Sequence, residues 1–177
     1  MERKRELMRL YDQTAQIYDA RYTEIQRRKY ELVLEFLPSD IQAILDVGCG
    51  SGLLLQELLG RSKLLVGIDF SLRMLDTARR KVREAQLILA DAEALPFREN
   101  SFDCVVSITL LQNVPSPQKA VGECARVLKE KGVLILTTLK HKHSQDELQS
   151  LVEESGMYVV ECGAIPQSED VFCVAQK

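Results

Sequence analysis

Short apolar runs alternate with longer amphipathic segments from residue 43 onward, and this pattern predicts strands and helices in turn. Five runs have the length of a buried strand and end at polar or glycine-rich residues. These runs are 43–47, 63–68, 86–90, 102–108 and 133–138. The amphipathic segments predict helices over 53–59, 71–84, 116–131 and 144–155. Alternation of this kind is typical of a mainly parallel sheet covered by helices on both faces.

Three serines mark predicted helix starts. Ser71 precedes an amphipathic run and fits an N-cap. Ser116 stands before Pro117, and this pair predicts an N-cap followed by proline at the first helical position. Ser144 and Glu147 have the spacing of a capping box, in which each side chain binds the other residue's backbone amide.

The end of the chain departs from the alternation. Two β-branched runs, 157–165 and 171–175, are separated by a short polar loop that contains Pro166. Two strands so close in sequence predict an antiparallel hairpin at the end of the sheet. In such α/β sheets, ligand sites lie beyond the carboxyl ends of the parallel strands.

Residues 1–40 differ from the rest of the chain because they are rich in tyrosine and helical in pattern. Tyr11, Tyr18 and Tyr22 share one helical face if this segment is continuous, and Pro38 predicts its end. We therefore expect a helical N-terminal cap over 1–40 and a single globular unit over 41–177. Tyr18 is a candidate to close over a ligand, and the alternative is ordinary aromatic packing.

The composition fits one folded domain and excludes several classes of protein. The chain has 177 residues, with 23 Lys and Arg against 26 Asp and Glu, so its net charge is −3. This balance excludes a generally basic nucleic-acid coat. No apolar run approaches 18 residues, and the first residues lack the apolar core of a secretion signal, which predicts a cytoplasmic protein.

Cysteine spacing predicts neither zinc nor a disulfide framework. The five cysteines form no Cys-x-x-Cys pair, and none lies at ligand spacing from a histidine. We expect five reduced, mostly buried thiols.

The strongest chemical signal is the loop Asp46-Val47-Gly48-Cys49-Gly50-Ser51-Gly52, which follows the first strand. Its glycines allow a sharp turn and a close approach to a ligand. A dinucleotide fingerprint would place its third glycine at Leu53 rather than at Gly52. Asp46 would also repel a pyrophosphate, since unit charges 4 Å apart interact by about 4 kcal/mol at an effective dielectric near 20. A cationic ligand such as S-adenosylmethionine, with its sulfonium and ammonium, has the matching sign.

Two further carboxylates end the second and third strands. Asp69 has the position of a ribose-binding acid, and its alternative role is a carboxylate favoured by a helix N-terminus. Asp91 and the amide of Ala92 have the groups to bind the amino group and ring nitrogen of adenine, and the alternative is a turn. Three acids at neighbouring strand ends line one edge of the sheet.

These motifs resemble the class I S-adenosylmethionine-dependent methyltransferases, in the ubiquinone/menaquinone-type, methyltransferase type 11 group. The resemblance lies in the stretches 45–52, 67–71, 91–97 and 102–107. The stretches 126–129 and 132–134 also resemble that group's approach to its fifth strand, so the resemblance covers about residues 43–138. It implies a Rossmann-like three-layer sandwich with a seven-stranded, mostly parallel sheet. It also implies the strand order 3-2-1-4-5-7-6 with an antiparallel terminal hairpin.

The resemblance also implies roles for individual residues. The donor's methionine moiety would lie against the glycine loop, at Asp46, Gly48, Cys49 and Gly50. Its ribose would bind Asp69, and Phe70 and Met74 would pack against its adenosine. Its adenine would lie against Asp91 and Ala92. Past the fourth strand, Ser107 and Thr109 would face the methyl donor, and Tyr18 would cap the pocket. No metal ligands and no catalytic residue are predicted.

The stretch after the fourth strand lacks residues that some relatives use in catalysis, and this limits the reactions that the sequence predicts. The Asn/Asp-Pro-Pro-Tyr/Phe motif of nucleic-acid amino-methylating enzymes is absent from 107–113, and no general base is evident there. His141 and His143 follow the fifth strand, as a base or anion clamp or simply as part of a solvated basic loop.

We therefore expect proximity-driven SN2 methyl transfer to an O, N or S nucleophile, since positioning alone contributes roughly 7–11 kcal/mol. The acceptor, a small molecule, RNA or protein, is not written in the sequence. One alternative is a noncatalytic or partner-activated donor-binding subunit acting on RNA or protein, for example with a small zinc-binding activator. Another is a nicotinamide dehydrogenase.

Overall fold

The structure is a computed structural model that describes residues 26–177. Its strands are β1 Ala43–Val47, β2 Leu64–Asp69, β3 Gln86–Leu89, β4 Phe102–Ile108, β5 Leu128–Leu139, β6 Tyr158–Ala164 and β7 Asp170–Gln176. Its helices are α1 over 26–36, α2 Leu53–Leu58, α3 Leu72–Lys81, α4 Pro117–Val127 and α5 Gln145–Glu153, with a 3-10 turn at Leu111–Asn113.

The strands form one sheet in the order β3-β2-β1-β4-β5-β7-β6, which confirms the predicted topology. Strands β1 to β5 pair in parallel, and β7 pairs antiparallel with both β5 and β6. The carboxyl ends of β1, β2, β3 and β4 therefore meet at one edge, as a candidate ligand site requires.

Two apolar clusters lie on opposite faces of the sheet, and β1 contributes to both. Leu45 and Val47 join the cluster beneath α4 and α5, whereas Ile44 joins the cluster beneath α1, α2 and α3. All five residues of β1 are buried, because a central parallel strand has helices on both sides. The predicted three-layer sandwich is thus confirmed.

The predicted helix starts are confirmed by their hydrogen bonds. Ser71 Oγ accepts from Met74 N at 3.2 Å, which begins α3. Ser116 caps α4, with proline in its first turn. Ser144 and Glu147 form both bonds of the capping box. These contacts depend on near neighbours in sequence, and sequence patterns predict them for that reason.

The helix predicted over 116–131 was too long at its carboxyl end. We predicted a helix to residue 131, but α4 ends at Val127 and β5 begins at Leu128. Leu128 pairs with Phe102, and Lys129 Nζ lies 2.9 Å from the Asp103 carboxylate of β4. Pairing with β4 therefore overrides the local helical preference.

The predicted N-terminal cap falls mostly outside the described residues, and Tyr18 is among the residues that lie outside. Helix α1 ends at residue 36, two residues before Pro38, as predicted. The buried Val33 packs with α2 and α3, so α1 is part of the main core. The domain boundary near residue 40 stays a prediction.

One prediction about cysteine was wrong. The structure joins Cys162 and Cys173 in a disulfide, with their Cα atoms 4.2 Å apart. These residues face each other across the antiparallel β6–β7 pair, and this proximity depends on register rather than on a sequence motif. Cys49, Cys104 and Cys124 are free and buried, as expected for three of the five.

Candidate functional site

A cleft lies at the carboxyl ends of β1, β2 and β4, where strand order reverses about β1. Three adjoining cavities form it, and all three are lined by Gly48. The cavity against α1 includes Asp46, the middle one includes Asp69, and the one toward β3 includes Asp91. The structure thus brings the three predicted carboxylates to one continuous cleft.

The glycine loop is anchored to the end of β2. The amides of Gly48 and Cys49 donate to the Ile68 carbonyl at 2.9 and 2.8 Å, and the Gly50 amide donates to Asp69 Oδ2 at 2.9 Å. Cys49 contributes backbone to the cleft, while its buried side chain packs in the core, and burial raises the pKa of its thiol well above the ordinary value. The loop therefore presents backbone rather than a reactive thiol.

Two of the loop glycines are required by their conformation and their neighbours. Gly48 has φ +82°, and a Cβ there would lie 2.9 Å from Leu110 Cδ1. Gly52 has φ +81°, and a Cβ there would lie 2.9 Å from the Cβ of Ala78 on α3. The left-handed backbone and these close approaches together favour glycine at both positions.

Asp46 is a buried acid without a compensating donor. Its side chain is 2% exposed, and Oδ2 has no hydrogen-bond partner among residues 26–177. Burial, and secondarily the charge of Asp69, raise the pKa of Asp46 from 3.8 to about 8. A cation in the adjoining cavity would stabilise the charged form of Asp46.

Asp69 is held in place by backbone amides. Its Oδ1 accepts from Ser71 N at 2.8 Å, in addition to the bond from Gly50 to Oδ2. A carboxylate has about four acceptor positions, so one carboxylate can accept from several donors at once. Asp69 lines both the middle cavity and the one toward β3.

The cavity toward β3 is a mostly apolar slot, a character that suits an aromatic base. Phe70, Ala90, Ala92 and Leu110 contribute to its walls, and Asp91 lies at its margin. Met74, also predicted, lines the neighbouring middle cavity.

The loop that carries Asp91 and Ala92 is braced by α4. Glu123 Oε2 accepts from the Leu95 amide at 2.6 Å, while Arg126 donates to the carbonyls of Leu95 and Phe97 at 3.0 and 2.8 Å. Glu123 and Arg126 also pair at 2.7 Å, and this hydrogen bond lowers the pKa of Glu123. Sequence analysis did not identify this brace, because its partners lie about 30 residues apart.

Ser107 and Thr109 both have their hydroxyls engaged within the protein. The fully buried Ser107 donates to the Val47 carbonyl at 3.0 Å. Thr109 lines the middle cavity, and its hydroxyl donates to Asp170 Oδ2 at 2.8 Å. Contact of either residue with a methyl donor stays a prediction.

Behind Thr109 lies a buried ion pair that ties α1 to the sheet. Lys29 Nζ lies 2.8 Å from Asp170 Oδ1 and donates to Thr109 Oγ1 at 2.7 Å. Thr137 Oγ1 donates to the second oxygen of Asp170 at 3.1 Å. Both charged side chains are at most 2% exposed, so the pair is shielded from solvent. It joins α1, β5, β7 and the loop after β4.

Several lining residues were missed by sequence analysis. They are Gln26, Tyr30, Leu110, Asn113 and Val114. The signal that bears on three of them is the apolar stretch after β4, which folds into a 3-10 turn over the cleft. Gln26 and Tyr30 belong to α1 and carry no motif, so only the tertiary structure identifies them.

The two histidines lie near the carboxyl end of β5. His143 Nδ1 is 3.0 Å from Thr138 Oγ1, and His143 lines an open groove between α4 and α5. His141 is exposed. A role as base or anion clamp stays a prediction for both.

Comparisons with known proteins agree with this architecture. A family model described as a methyltransferase domain matches residues 45–136. The demethylmenaquinone methyltransferase of Thermotoga maritima is 32% identical over 146 residues, which are 77% of this chain and 62% of the relative. The ubiquinone biosynthesis O-methyltransferase of Coxiella burnetii is 34% identical over 100 residues, which are 54% of this chain and 43% of the relative. The chain thus spans less than two thirds of the length of these curated relatives.

Solved structures share the fold at low identity. One, a complex between the Haloferax volcanii Trm112 methyltransferase activator and a methyltransferase, matches with a TM-score of 0.79, 20% identity, and coverage of 94% and 96% of the two chains. Another, the N-methyltransferase NodS from Bradyrhizobium japonicum in complex with S-adenosyl-L-homocysteine, matches with a TM-score of 0.73, 16% identity, and coverage of 86% and 87%. At such identities the likeness shows the fold alone.

Proposed function

Because this chain belongs to the class I S-adenosylmethionine-dependent methyltransferases, we propose that it binds S-adenosylmethionine in the described cleft and transfers the donor's methyl group to an acceptor. The single observation that carries this proposal is Asp46, a buried carboxylate with an unpartnered oxygen beside a glycine loop. A cation beside this acid would stabilise its charged form, and S-adenosylmethionine carries two positive groups.

The residues present fit the donor along its length. The unpartnered Asp46 oxygen and the glycine backbone suit an amino-acid moiety, Asp69 suits two ribose hydroxyls, and the apolar slot beside Phe70 suits adenine. A pyrophosphate fits less well, because its negative phosphates would lie beside the oxygen atoms of Asp46 and Asp69 and would disfavour ionisation of these carboxyls.

The chemistry demands little of the protein beyond position. When bound, S-adenosylmethionine supplies a methyl group on a sulfonium that is its own leaving group. The protein's part is to hold that group in line with an O, N or S nucleophile and to exclude water. The braced loop at Leu95 and the anchored loop at Gly50 are rigid supports for such positioning.

The acceptor is proposed by analogy with the relatives. One relative is named for demethylmenaquinone and another is an O-methyltransferase named for ubiquinone biosynthesis, which supports an oxygen atom of a quinone-related small molecule as the first acceptor to test. RNA and protein acceptors, and a requirement for an activator subunit, are kept as alternatives.

Location is proposed separately. Within residues 26–177, no helix combines the length and apolar character needed to cross a bilayer. We keep a cytoplasmic location as a proposal, which cell fractionation would test.

The test is transfer of label from S-adenosylmethionine that carries an isotopic methyl group. Purified protein is incubated with demethylated quinone precursors, with extracted small molecules, with RNA and with protein fractions. We expect labelled product in one fraction. The amount of product should fall strongly in Asp69→Ala and should be unchanged in the control Asp76→Ala, whose side chain is exposed. Label that appears only after another protein is added would support the activator alternative, and no label in any fraction would refute transfer.

A further inference from the structure

A chain of hydrogen bonds links the cleft to His143, in the loop after β5. Thr109 lines the middle cavity, and its carbonyl oxygen accepts from Gln112 Nε2. Gln112 Oε1 lies 3.1 Å from Thr138 Oγ1, which in turn lies 3.0 Å from His143 Nδ1. Thr138 is fully buried, so its hydroxyl depends on these protein partners. The chain anchors His143 in a way that a solvated loop does not require.

The donors and acceptors in this chain fix which nitrogen of His143 carries a hydrogen. A carbonyl oxygen cannot donate, so the Gln112 amide nitrogen faces Thr109 and the amide oxygen faces Thr138. That oxygen needs a donor, and Thr138 has a single hydroxyl hydrogen to supply. Because this hydrogen goes to Gln112, Thr138 accepts from His143, and Nδ1 is the protonated nitrogen. In neutral His143 the other nitrogen, Nε2, therefore carries a lone pair.

The lone pair of His143 belongs to a surface that borders the cleft. The ring lines the open groove between α4 and α5, and its Nε2 has no hydrogen-bond partner within the described part of the chain. Asn113 and Val114 line the slot toward β3, and the next two residues, Pro115 and Ser116, line the groove. The groove thus begins where the cleft ends.

The charges around His143 favour a neutral molecule in the groove. The groove side of α5 carries three carboxylates, which are Asp146, Glu147 and Glu154. The groove residues of α4, 115–118, carry no charge. In the loop itself Lys140 pairs with Glu169, and His141 and Lys142 are exposed. Three carboxylates disfavour an anion here, so the groove suits an uncharged molecule better than an anion clamp would.

The kind of acceptor follows from what each nucleophile must lose. An aromatic amine already has a free lone pair at neutral pH, whereas a phenol ionises only at about pH 10. A neutral imidazole beside the nucleophile therefore speeds attack by a phenol far more than attack by such an amine. The unpartnered Nε2 of His143 thus favours a hydroxyl among the three kinds of nucleophile.

We infer that the groove between α4 and α5 binds the methyl acceptor, that this acceptor is a phenol, and that His143 is the general base of the transfer. This inference rests on the proposed function. Nε2 takes the hydroxyl proton while the phenol oxygen bonds to the donor's methyl carbon, and the carbon–sulfur bond breaks with its electron pair left on sulfur. The imidazolium then returns its proton to water through the open groove. Gln112 and Thr138 are positioning residues, because they hold the ring in its Nδ1–H form.

The first experiment records the imidazole nitrogens by NMR in protein labelled with nitrogen-15 histidine. The chain has two histidines, and the signals lost in His141→Gln assign the remaining set to His143. We expect neutral His143 to be the Nδ1–H tautomer, and Thr138→Val to lose this preference. An Nε2–H tautomer in the wild type would overturn the inference, because Nε2 could then accept no proton.

The second experiment measures kcat for two acceptors, catechol and 4-nitrocatechol, at about pH 8 with saturating S-adenosylmethionine. The nitro group acidifies its hydroxyl, so 4-nitrocatechol is already ionised at this pH and needs no base. His143→Asn keeps an amide donor for Thr138 and removes the base, and the exposed His141→Asn is the matched control. We expect His143→Asn to lower kcat about 100-fold for catechol and less than about 3-fold for 4-nitrocatechol. His141→Asn should leave both values unchanged.

The two acceptors separate a catalytic role from a structural one. An equal loss of kcat with both acceptors in His143→Asn would show that His143 only supports the structure, and would overturn the inference. Failure of the wild type to methylate either catechol, while it binds S-adenosylhomocysteine in calorimetry, would overturn it as well. If the wild type binds no S-adenosylhomocysteine, the proposed function fails instead.

Discussion

Asp46 is a buried acid, and its Oδ2 has no hydrogen-bond partner among residues 26–177. The pKa of its carboxyl rises from 3.8 to about 8, chiefly through burial. The folded state therefore holds one proton more than the unfolded state between these pH values. Since stability falls with pH wherever the folded state binds more protons, the free protein loses stability as pH rises from about 4 to about 8.

Asp46→Asn should remove the loss of folding stability that Asp46 causes as pH rises. We expect the variant to exceed the wild type in free energy of unfolding by on the order of 3 kcal/mol at pH 8, and by much less at pH 5. Urea denaturation without ligand at both pH values measures the difference. The exposed Asp76→Asn should show no such widening, and a gap for Asp46→Asn that is independent of pH would contradict the assignment.

Gly52 allows a separate test of backbone and packing. Gly52→Ala forces an L-residue to φ +81° and places its Cβ 2.9 Å from that of Ala78, so we expect a loss of about 2–3 kcal/mol. Gly60 has a similar φ of +74° with no neighbouring atom within 4 Å. Gly60→Ala should therefore cost only about 1 kcal/mol by thermal unfolding. Equal losses would show that the contact with Ala78 contributes nothing.

At the level of single residues, the sequence predicted the groups that belong to a motif of neighbouring residues. Asp46, Gly48 and Asp69 were predicted because each ends a strand or forms a tight loop, and the structure brings them to one cleft. Gln26 could not be predicted, because a glutamine on a helix has no motif and its importance comes from burial against a loop 20 residues away.

Helix α1 is joined to the sheet through Lys29 and Asp170. Removing one partner of a buried ion pair leaves an uncompensated charge, which costs several kcal/mol, whereas removing both costs less. We expect Lys29→Met to lower the free energy of unfolding by about 3 kcal/mol and the double variant Lys29→Met, Asp170→Asn to recover part of it. Chemical denaturation measures both.

The same variants have a matched control on the surface. Lys140 pairs with Glu169 at 3.0 Å, but both side chains are largely exposed, so Lys140→Met should change stability by less than about 1 kcal/mol. If Lys29→Met lowered the free energy of unfolding as little as Lys140→Met does, the buried ion pair would not be what stabilises α1 on the sheet.

At the scale of elements, prediction succeeded where a helix or strand is specified by its own residues. The N-caps at Ser71 and Ser144 are examples. It failed at the end of α4, since Leu128 and Lys129 belong to β5 through contacts with Phe102 and Asp103 on another strand. Such pairings depend on tertiary register, which a single sequence does not contain.

The whole molecule joins its two terminal strands with a covalent bond. Cys162 and Cys173 are bonded across β6 and β7, whereas three cysteines are free. After denaturation without reductant, we expect an alkylating reagent to modify three thiols, and all five after reduction. Five reactive thiols without reductant would restore the expectation drawn from cysteine spacing.

The proposed function depends on a line of carboxylates at neighbouring strand ends that binds a positively charged nucleoside donor. Its most direct test is calorimetric titration of the wild-type protein and Asp69→Ala with S-adenosylmethionine, S-adenosylhomocysteine and NAD. We expect S-adenosylmethionine and S-adenosylhomocysteine to bind the wild-type protein saturably at one site per chain. We expect Asp69→Ala to lose that binding, and NAD not to bind. Binding of NAD without either S-adenosyl compound would contradict it.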